Sequence, residues 1–102
     1  MATQLKSGTN EYGIKSEYGH FIGGEWISSD SGKTIDLINP ATGAVLTKIQ
    51  AGNAKDIQRA VAAAKAAFPK WADSSPAERQ EILIEVARRL KARHQHYATL
   101  ET

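Results

Sequence analysis

The stretch Ile35-Asp36-Leu37-Ile38-Asn39-Pro40-Ala41-Thr42-Gly43-Ala44-Val45-Leu46-Thr47-Lys48-Ile49 decides how the rest of the chain is read. Apolar residues alternate on both sides of Asn39-Pro40-Ala41-Thr42-Gly43. Asn before Pro favours an extended residue, Pro fixes φ for a turn, and Gly permits a positive φ. The pattern predicts a β-hairpin over 34–50. Immediately upstream, His20-Phe21-Ile22 and Glu25-Trp26-Ile27 flank Gly23-Gly24, which predicts a second, tighter hairpin over 20–27. A Gly pair with no helix after it cannot cradle a phosphate, so this hairpin is read as structural. Ser28-Ser29-Asp30-Ser31-Gly32-Lys33 is a surface loop between the hairpins. Residues 1–19 are polar and read as a flexible arm in which Tyr12, Ile14 and Tyr18 are isolated anchors.

Downstream, the period changes from two to 3.6. Asn53 is a good N-cap, and Asp56 places a negative charge in the first turn, where the helix dipole favours it. Ile57, Ala60, Val61, Ala64, Ala67 and Phe68 then recur on one side, with Lys55, Asp56, Arg59 and Lys65 assigned to water, so a helix is expected over 54–68 that covers one face of the sheet. Pro69 ends it, and Trp71 in the following loop fills the gap between helices. Ser75-Pro76-Ala77-Glu78 has a hydroxyl at N-cap, Pro at N1 and Glu at N3, which is a capping box opening a helix over 76–92. Its acids lead and its bases trail, as the helix dipole prefers, and Glu85 can pair with Arg89 one turn on. A last helical stretch, 94–102, carries Tyr97 and Leu100 and has no terminating Gly, so the chain is expected to stop in mid-element.

Composition bounds the function. The chain has 102 residues, 41% hydrophobic and 24% charged, which suits a folded domain and not a disordered one. Thirteen basic against 11 acidic residues is too near balance for nucleic acid or an anionic membrane to be the partner. No Cys is present, so thiolate nucleophiles, thiolate metal sites and disulfides are excluded from this chain. The start lacks a secretory apolar region and no run approaches the roughly 18 apolar residues of a membrane span, so cytoplasm is the expected location. His94 and His96 lie at i and i+2, on opposite sides of a helix, and are not a metal pair. The bases of Arg88-Arg89-Leu90-Lys91-Ala92-Arg93-His94 are balanced by acids one to two turns earlier. No acid-base pair, nucleophile motif or Gly-rich phosphate loop is present. Elementary physics stops at a mixed α and β fragment without a reaction centre.

Several motifs, taken in order, go further. Phe21-Ile22-Gly23-Gly24-Glu25-Trp26, Ile38-Asn39-Pro40-Ala41-Thr42-Gly43, the Asn53 helix ending Ala63-Ala64-Lys65-Ala66-Ala67-Phe68, then Trp71, Glu78-Arg79 and Leu100-Glu101-Thr102 resemble the amino-terminal region of the NAD(P)-dependent aldehyde dehydrogenase superfamily over residues 18–102. The arm with Glu11-Tyr12-Gly13 and Tyr18-Gly19 resembles bacterial members that act on small aliphatic aldehydes. The resemblance implies an α/β fold, with 20–102 as the amino-terminal part of the cofactor-binding domain and about the first fifth of an intact enzyme. It implies hairpins and helices that pack on a Rossmann-like cofactor domain, NAD or NADP as cofactor, and a homodimer or homotetramer. The nucleophilic Cys, the deacylating Glu, the oxyanion-binding Asn and the cofactor-contacting turn all fall beyond Thr102 in such an enzyme. This chain alone is therefore expected to be inactive and to bind no dinucleotide. One site element carries over by position: the backbone carbonyls of Leu37 and Ile38 correspond to ligands of a structural monovalent cation, whose acidic partner follows Thr102. Two readings stay open: a structural segment of such an enzyme, partnered by the rest of its polypeptide, or a self-standing interaction module using its apolar stripe.

Overall fold

The computed structural model describes residues 9–102, in two compact units that meet within one helix, the first ending at Ala66 and the second beginning at Ala67. Strands and helices share the first unit, in keeping with an α/β fold. Its strands are β1 (Glu17–Tyr18), β2 (His20–Ile22), β3 (Glu25–Ile27), β4 (Thr34–Ile38) and β5 (Val45–Gln50). β2 and β3 pair antiparallel, with Phe21 opposite Trp26. Their loop takes φ of +62° at Gly23 and +81° at Gly24, the paired positive values of a primed turn whose twist suits adjoining strands. The Phe21 and Trp26 rings lie 5.0 Å apart, and Tyr18 joins them at 6.0 Å from Trp26.

β4 and β5 form the larger hairpin, Ile35 opposite Ile49 and Leu37 opposite Thr47, with a register shift between Leu37 and Ile38. In its turn the Asn39 side chain accepts the Ala41 N–H at 2.9 Å, and the Asn39 carbonyl accepts the Gly43 N–H at 2.7 Å, with Gly43 at φ +75°. The side chain mimics a turn of backbone, which is why Asn precedes Pro here.

Part of the expected arm is structured. Residues 1–8 lie outside the described residues, but Asn10 caps a local turn by accepting the N–H groups of Tyr12 and Ile14, and β1 adds to β5 in parallel, giving a sheet of order β1-β5-β4. Thr47, buried on β5, donates its hydroxyl to the Lys15 carbonyl at 2.6 Å. A buried hydroxyl must find an acceptor, and this one finds it in the arm.

Helix α1 (Ala54–Ala72) departs from expectation in two ways. It continues through Pro69, which forfeits only the bond its missing N–H would make to Lys65. Beyond it, Asp73 N–H reaches the Pro69 carbonyl, and the Ser74 backbone and hydroxyl both reach the Trp71 carbonyl. Trp71 thus lies in the helix and not in a loop, 46% exposed, lining an open hollow with Ala67, Ser74 and Ile82. The second departure is rotational. Asp56 is buried, Ala60 and Ala63 are half-buried, and a Cβ on Gly23 would meet Ala63 at 4.0 Å. Of the expected contact stripe, Ile57, Ala60, Val61, Ala64, Ala67 and Phe68, only Ala60 is half-buried, and Ile57, Val61 and Phe68 stand 60–65% exposed. At 100° per residue the two sides differ by about a quarter turn or more. A carboxylate, and not an apolar residue, chose which side faces the strands.

The second unit holds the end of α1 with α2 (Pro76–Ala92) and α3 (His94–Glu101). The capping box at the start of α2 is formed: Glu78 N–H donates to Ser75 Oγ at 3.1 Å and Ser75 N–H to Glu78 Oε2 at 2.7 Å. Glu85 pairs with Arg89 at 3.0 Å, and with Arg88. Arg93, at φ −120°, interrupts the helix and lays its guanidinium 5.4 Å from the Tyr97 ring centroid. Among the described residues Ile27 is the only buried apolar residue, at 7% exposure.

Two substitutions test this backbone. Gly24→Ala has open space around the new methyl, so its cost is conformational and is expected near 1–2 kcal/mol in chemical unfolding. Pro69→Ala restores a helical N–H and is expected to stabilise α1 by roughly 2 kcal/mol in chemical unfolding, with ellipticity at 222 nm unchanged. A marked rise in ellipticity would mean that the helix stops before Pro69.

Candidate functional site

The polar cluster with the most partners in the described residues is built around Asp56, the third residue of α1, only 3% exposed. Asn53 caps the helix: its side-chain oxygen accepts the Asp56 N–H at 3.2 Å, and Asp56 Oδ2 accepts the Asn53 N–H at 2.9 Å. This reciprocal arrangement is a capping box with Asp in the place usual for Glu. Two further donors come from the loop between the hairpins. Ser29 Oγ reaches Oδ2 at 2.5 Å and the Asp30 N–H reaches Oδ1 at 3.0 Å. Arg59, one turn on, completes the set with Nη2 at 2.7 Å from Oδ1.

Proton bookkeeping fixes the directions. Ser29 has one hydroxyl proton, and the carboxylate is the strongest acceptor within reach, so that proton goes to Asp56. Ser31 Oγ then donates to the Ala51 carbonyl at 2.6 Å, while its own N–H donates to Ser29 Oγ at 3.1 Å. Ser29 N–H donates to Gln50 Oε1 at 2.8 Å, and Gln50 Nε2 donates to Glu17 at 3.2 Å. One network thus joins β1, β5, the loop and α1.

The two oxygens of Asp56 accept four hydrogen bonds, which fills the four lone-pair directions of a carboxylate. No direction is left for a cation or for a substrate proton. His20, on β2, brings Nε2 to 3.6 Å from Oδ2, too long for a hydrogen bond, and Gly52 leaves room for the ring: a Cβ there would sit 3.3 Å from Nε2. The Asp56 carboxyl is held well below the usual carboxylate range. The Ser29 hydroxyl is the largest cause and the Asp30 N–H the next; burial opposes them, and Asn53 and Arg59 add to them. The cluster is a clasp and not a reaction centre.

Sequence reasoning placed Asp56 in water and residues 28–33 on the surface; the structure buries Asp56 and Ser29 against each other. The capping positions 53 and 56 were legible, but the partner is 27 residues upstream and no local pattern marks it.

Leu37 and Ile38 lie at the end of β4, an edge strand, where the pairing register slips between them. Leu37 pairs with Thr47 and Ile38 with Val45, so the residue left out of the ladder is Leu46 of β5. Among the described residues no group of three acidic, His or Cys side chains could hold a metal, and His94 and His96 form no such site. The Gly23-Gly24 turn runs into a strand and not a helix, so these residues do not fit a dinucleotide phosphate. No helix among them is long and apolar enough to cross a membrane.

Because the Asp56 carboxyl is depressed in the folded chain, its contribution is complete above the unfolded value of about 3.9 and is lost as pH falls below it. Thermal midpoints followed by circular dichroism are expected to drop between pH 5 and pH 2 more steeply in the natural chain than in Asp56→Asn. Each Asp56 oxygen accepts a backbone N–H, so an amide must turn its NH2 against one of them whichever way it sits. Asp56→Asn is accordingly expected to weaken amide-exchange protection at Asp30 and Asn53 by about tenfold or more at neutral pH.

The chain is similar to known proteins over most of its length. The aldehyde dehydrogenase family model matches residues 26–102. An aldehyde dehydrogenase of Paracoccus denitrificans (strain Pd 1222) is 40% identical over 95 residues, covering 93% of this chain and 19% of that protein. The crystal structure of PnpE in complex with nicotinamide adenine dinucleotide superposes with a TM-score of 0.79 at 38% identity, covering 82% of this chain and 17% of that one. An NAD-dependent aldehyde dehydrogenase from Sinorhizobium meliloti gives a TM-score of 0.72 at 34% identity, covering 91% and 19%. The chain spans about a fifth of the length of these relatives. With most of its residues matched in sequence and its hairpins and helices matched in space, this chain belongs to the aldehyde dehydrogenase family.

Proposed function

We propose that this chain is the amino-terminal structural segment of an NAD-dependent aldehyde dehydrogenase. The intact enzyme oxidises a small aldehyde with water to the carboxylic acid and passes hydride to the nicotinamide. The segment's task is to support the cofactor domain. One observation carries the reading: in a chain matched to the family over 26–102, the apolar residues of α1 and α2 stand open, among them Ile57, Val61, Ile82, Leu83 and Leu90. Apolar surface in contiguous stripes of this kind is a surface awaiting a partner. The polar clasp at Asp56 is complete by contrast, so what is unsatisfied here is apolar.

The chemistry lies elsewhere in the polypeptide. The chain has no Cys to attack an aldehyde, and its one buried carboxylate has no free lone pair. On this reading the Leu37 and Ile38 carbonyls are two ligands of a monovalent cation site completed by later residues, and the enzyme works in the cytoplasm as a homodimer or homotetramer. A PnpE crystal containing the dinucleotide supports NAD as the cofactor.

The purified 102-residue chain is expected to give no absorbance increase at 340 nm with NAD and acetaldehyde. Installed in place of the matching fifth of the Paracoccus enzyme, it is expected to give a soluble, active chimera. Turnover by the short chain, or an inactive and misfolded chimera, would overturn the proposal.

A further inference from the structure

One buried atom of the first unit has no partner. His20, on β2, is half-buried, and its Nε2 is shut off from solvent yet bonds to nothing among the described residues. It stops 3.6 Å from Asp56 Oδ2, in space that exists because residue 52 is glycine. A buried polar atom without a hydrogen bond is costly, so the position calls for a second state in which the bond is made.

The Ser29 hydroxyl supplies the means. Its single proton has two acceptors in reach, Asp56 Oδ2 at 2.5 Å and the Ala51 carbonyl at 3.0 Å. With that proton on Oδ2 the carboxylate is full and Nε2 is excluded. Turned to Ala51, whose carbonyl takes one bond from Ser31 and keeps a second lone pair, it frees one direction on Oδ2. A neutral imidazole carries its proton on one nitrogen or the other, but the imidazolium carries both, so uptake of a proton always leaves an N–H at Nε2. The bond then gained joins opposite charges and is stronger than the hydroxyl bond given up. We infer that His20 and Ser29 form a proton-operated switch: when His20 takes up a proton, its Nε2–H replaces the Ser29 hydroxyl on Asp56, the hydroxyl turns to Ala51, and β2 is fastened directly to α1.

The other charges of the network leave room for this. On α1, Arg59 holds the opposite oxygen, Oδ1, and offsets only part of the attraction; the Asp30 carboxylate is occupied by Asn53 and Lys55, and Glu17 by Gln50. Because β2 and β3 form a sheet of their own, apart from β1-β5-β4, the switch governs how firmly that hairpin is attached. Its contribution is complete below the unfolded histidine value of about 6.5 and is lost as pH rises above it, opposite in direction to the contribution of Asp56 itself.

Thermal midpoints of the 102-residue chain by circular dichroism, at about pH 8 and about pH 5.5, test this with no readout of activity, so the outcome is separate from the family reading. The midpoint is expected to be higher by about 4 °C or more at the lower pH. His20→Gln offers an N–H near the same point at either pH, and His20→Phe fills the space without a donor. Both are expected to abolish the rise, with the His20→Gln chain the more stable of the two at the higher pH. In long-range proton–nitrogen NMR spectra at the lower pH, the His20 Nε2–H of the natural chain is expected to exchange at least about tenfold more slowly than the ring N–H groups of His94 and His96. An equal rise of the midpoint in His20→Phe, or exchange at His20 as fast as at the other two, overturns the inference.

Discussion

The described structure of the first unit depends on one carboxylate held by donors from two distant stretches of chain. Asp56 takes hydrogen bonds from its own helix through Asn53 and Arg59 and from the inter-hairpin loop through Ser29 and Asp30. Each donor contributes modestly against water, but a buried carboxylate missing any of them would be left desolvated and unpaired, which is far more costly. The arrangement therefore holds as a set, and it fixes where α1 begins and which of its sides meets the strands. Through Gln50 and Glu17 the same set extends to the first strand, so the sheet, loop and helix of the first unit have one common point of attachment.

That polar attachment explains the unusual division of surfaces. A helix in a small domain ordinarily turns its apolar stripe inward and its charges outward. Here the charge and two alanines turn inward and Ile57, Val61 and Phe68 turn outward. In a chain that formed a whole domain this would be a costly inversion. The inner contact of α1 is made by hydrogen bonds, and the apolar stripe is left on the outer side.

How much of this could be read from the residues differs by element. The hairpins were legible because their turns are chemically specific: Gly23-Gly24 requires positive φ at both positions, and Asn39 substitutes its side chain for backbone. The capping box of α2 was equally plain, since all of its partners lie within four residues. The extent of α1 was not. Proline breaks a helix on average, but here a single lost bond near the end is tolerated, and Ser74 closes the helix by donating to the Trp71 carbonyl. Burial of Asp56 was illegible for another reason: periodicity sorts residues by hydrophobicity, and a charged residue whose partners lie 26 and 27 positions upstream is sorted to the wrong side. The place of Tyr18 and Lys15 against β5 was hidden similarly, because a two-residue parallel strand leaves no periodic trace.

The clasp also has a consequence in time. All of its members lie between Glu17 and Arg59, so the clasp needs nothing that follows Arg59 in order to close. Because domains generally fold from the amino terminus during synthesis, this polar attachment is placed to form before α2 and α3 have been made.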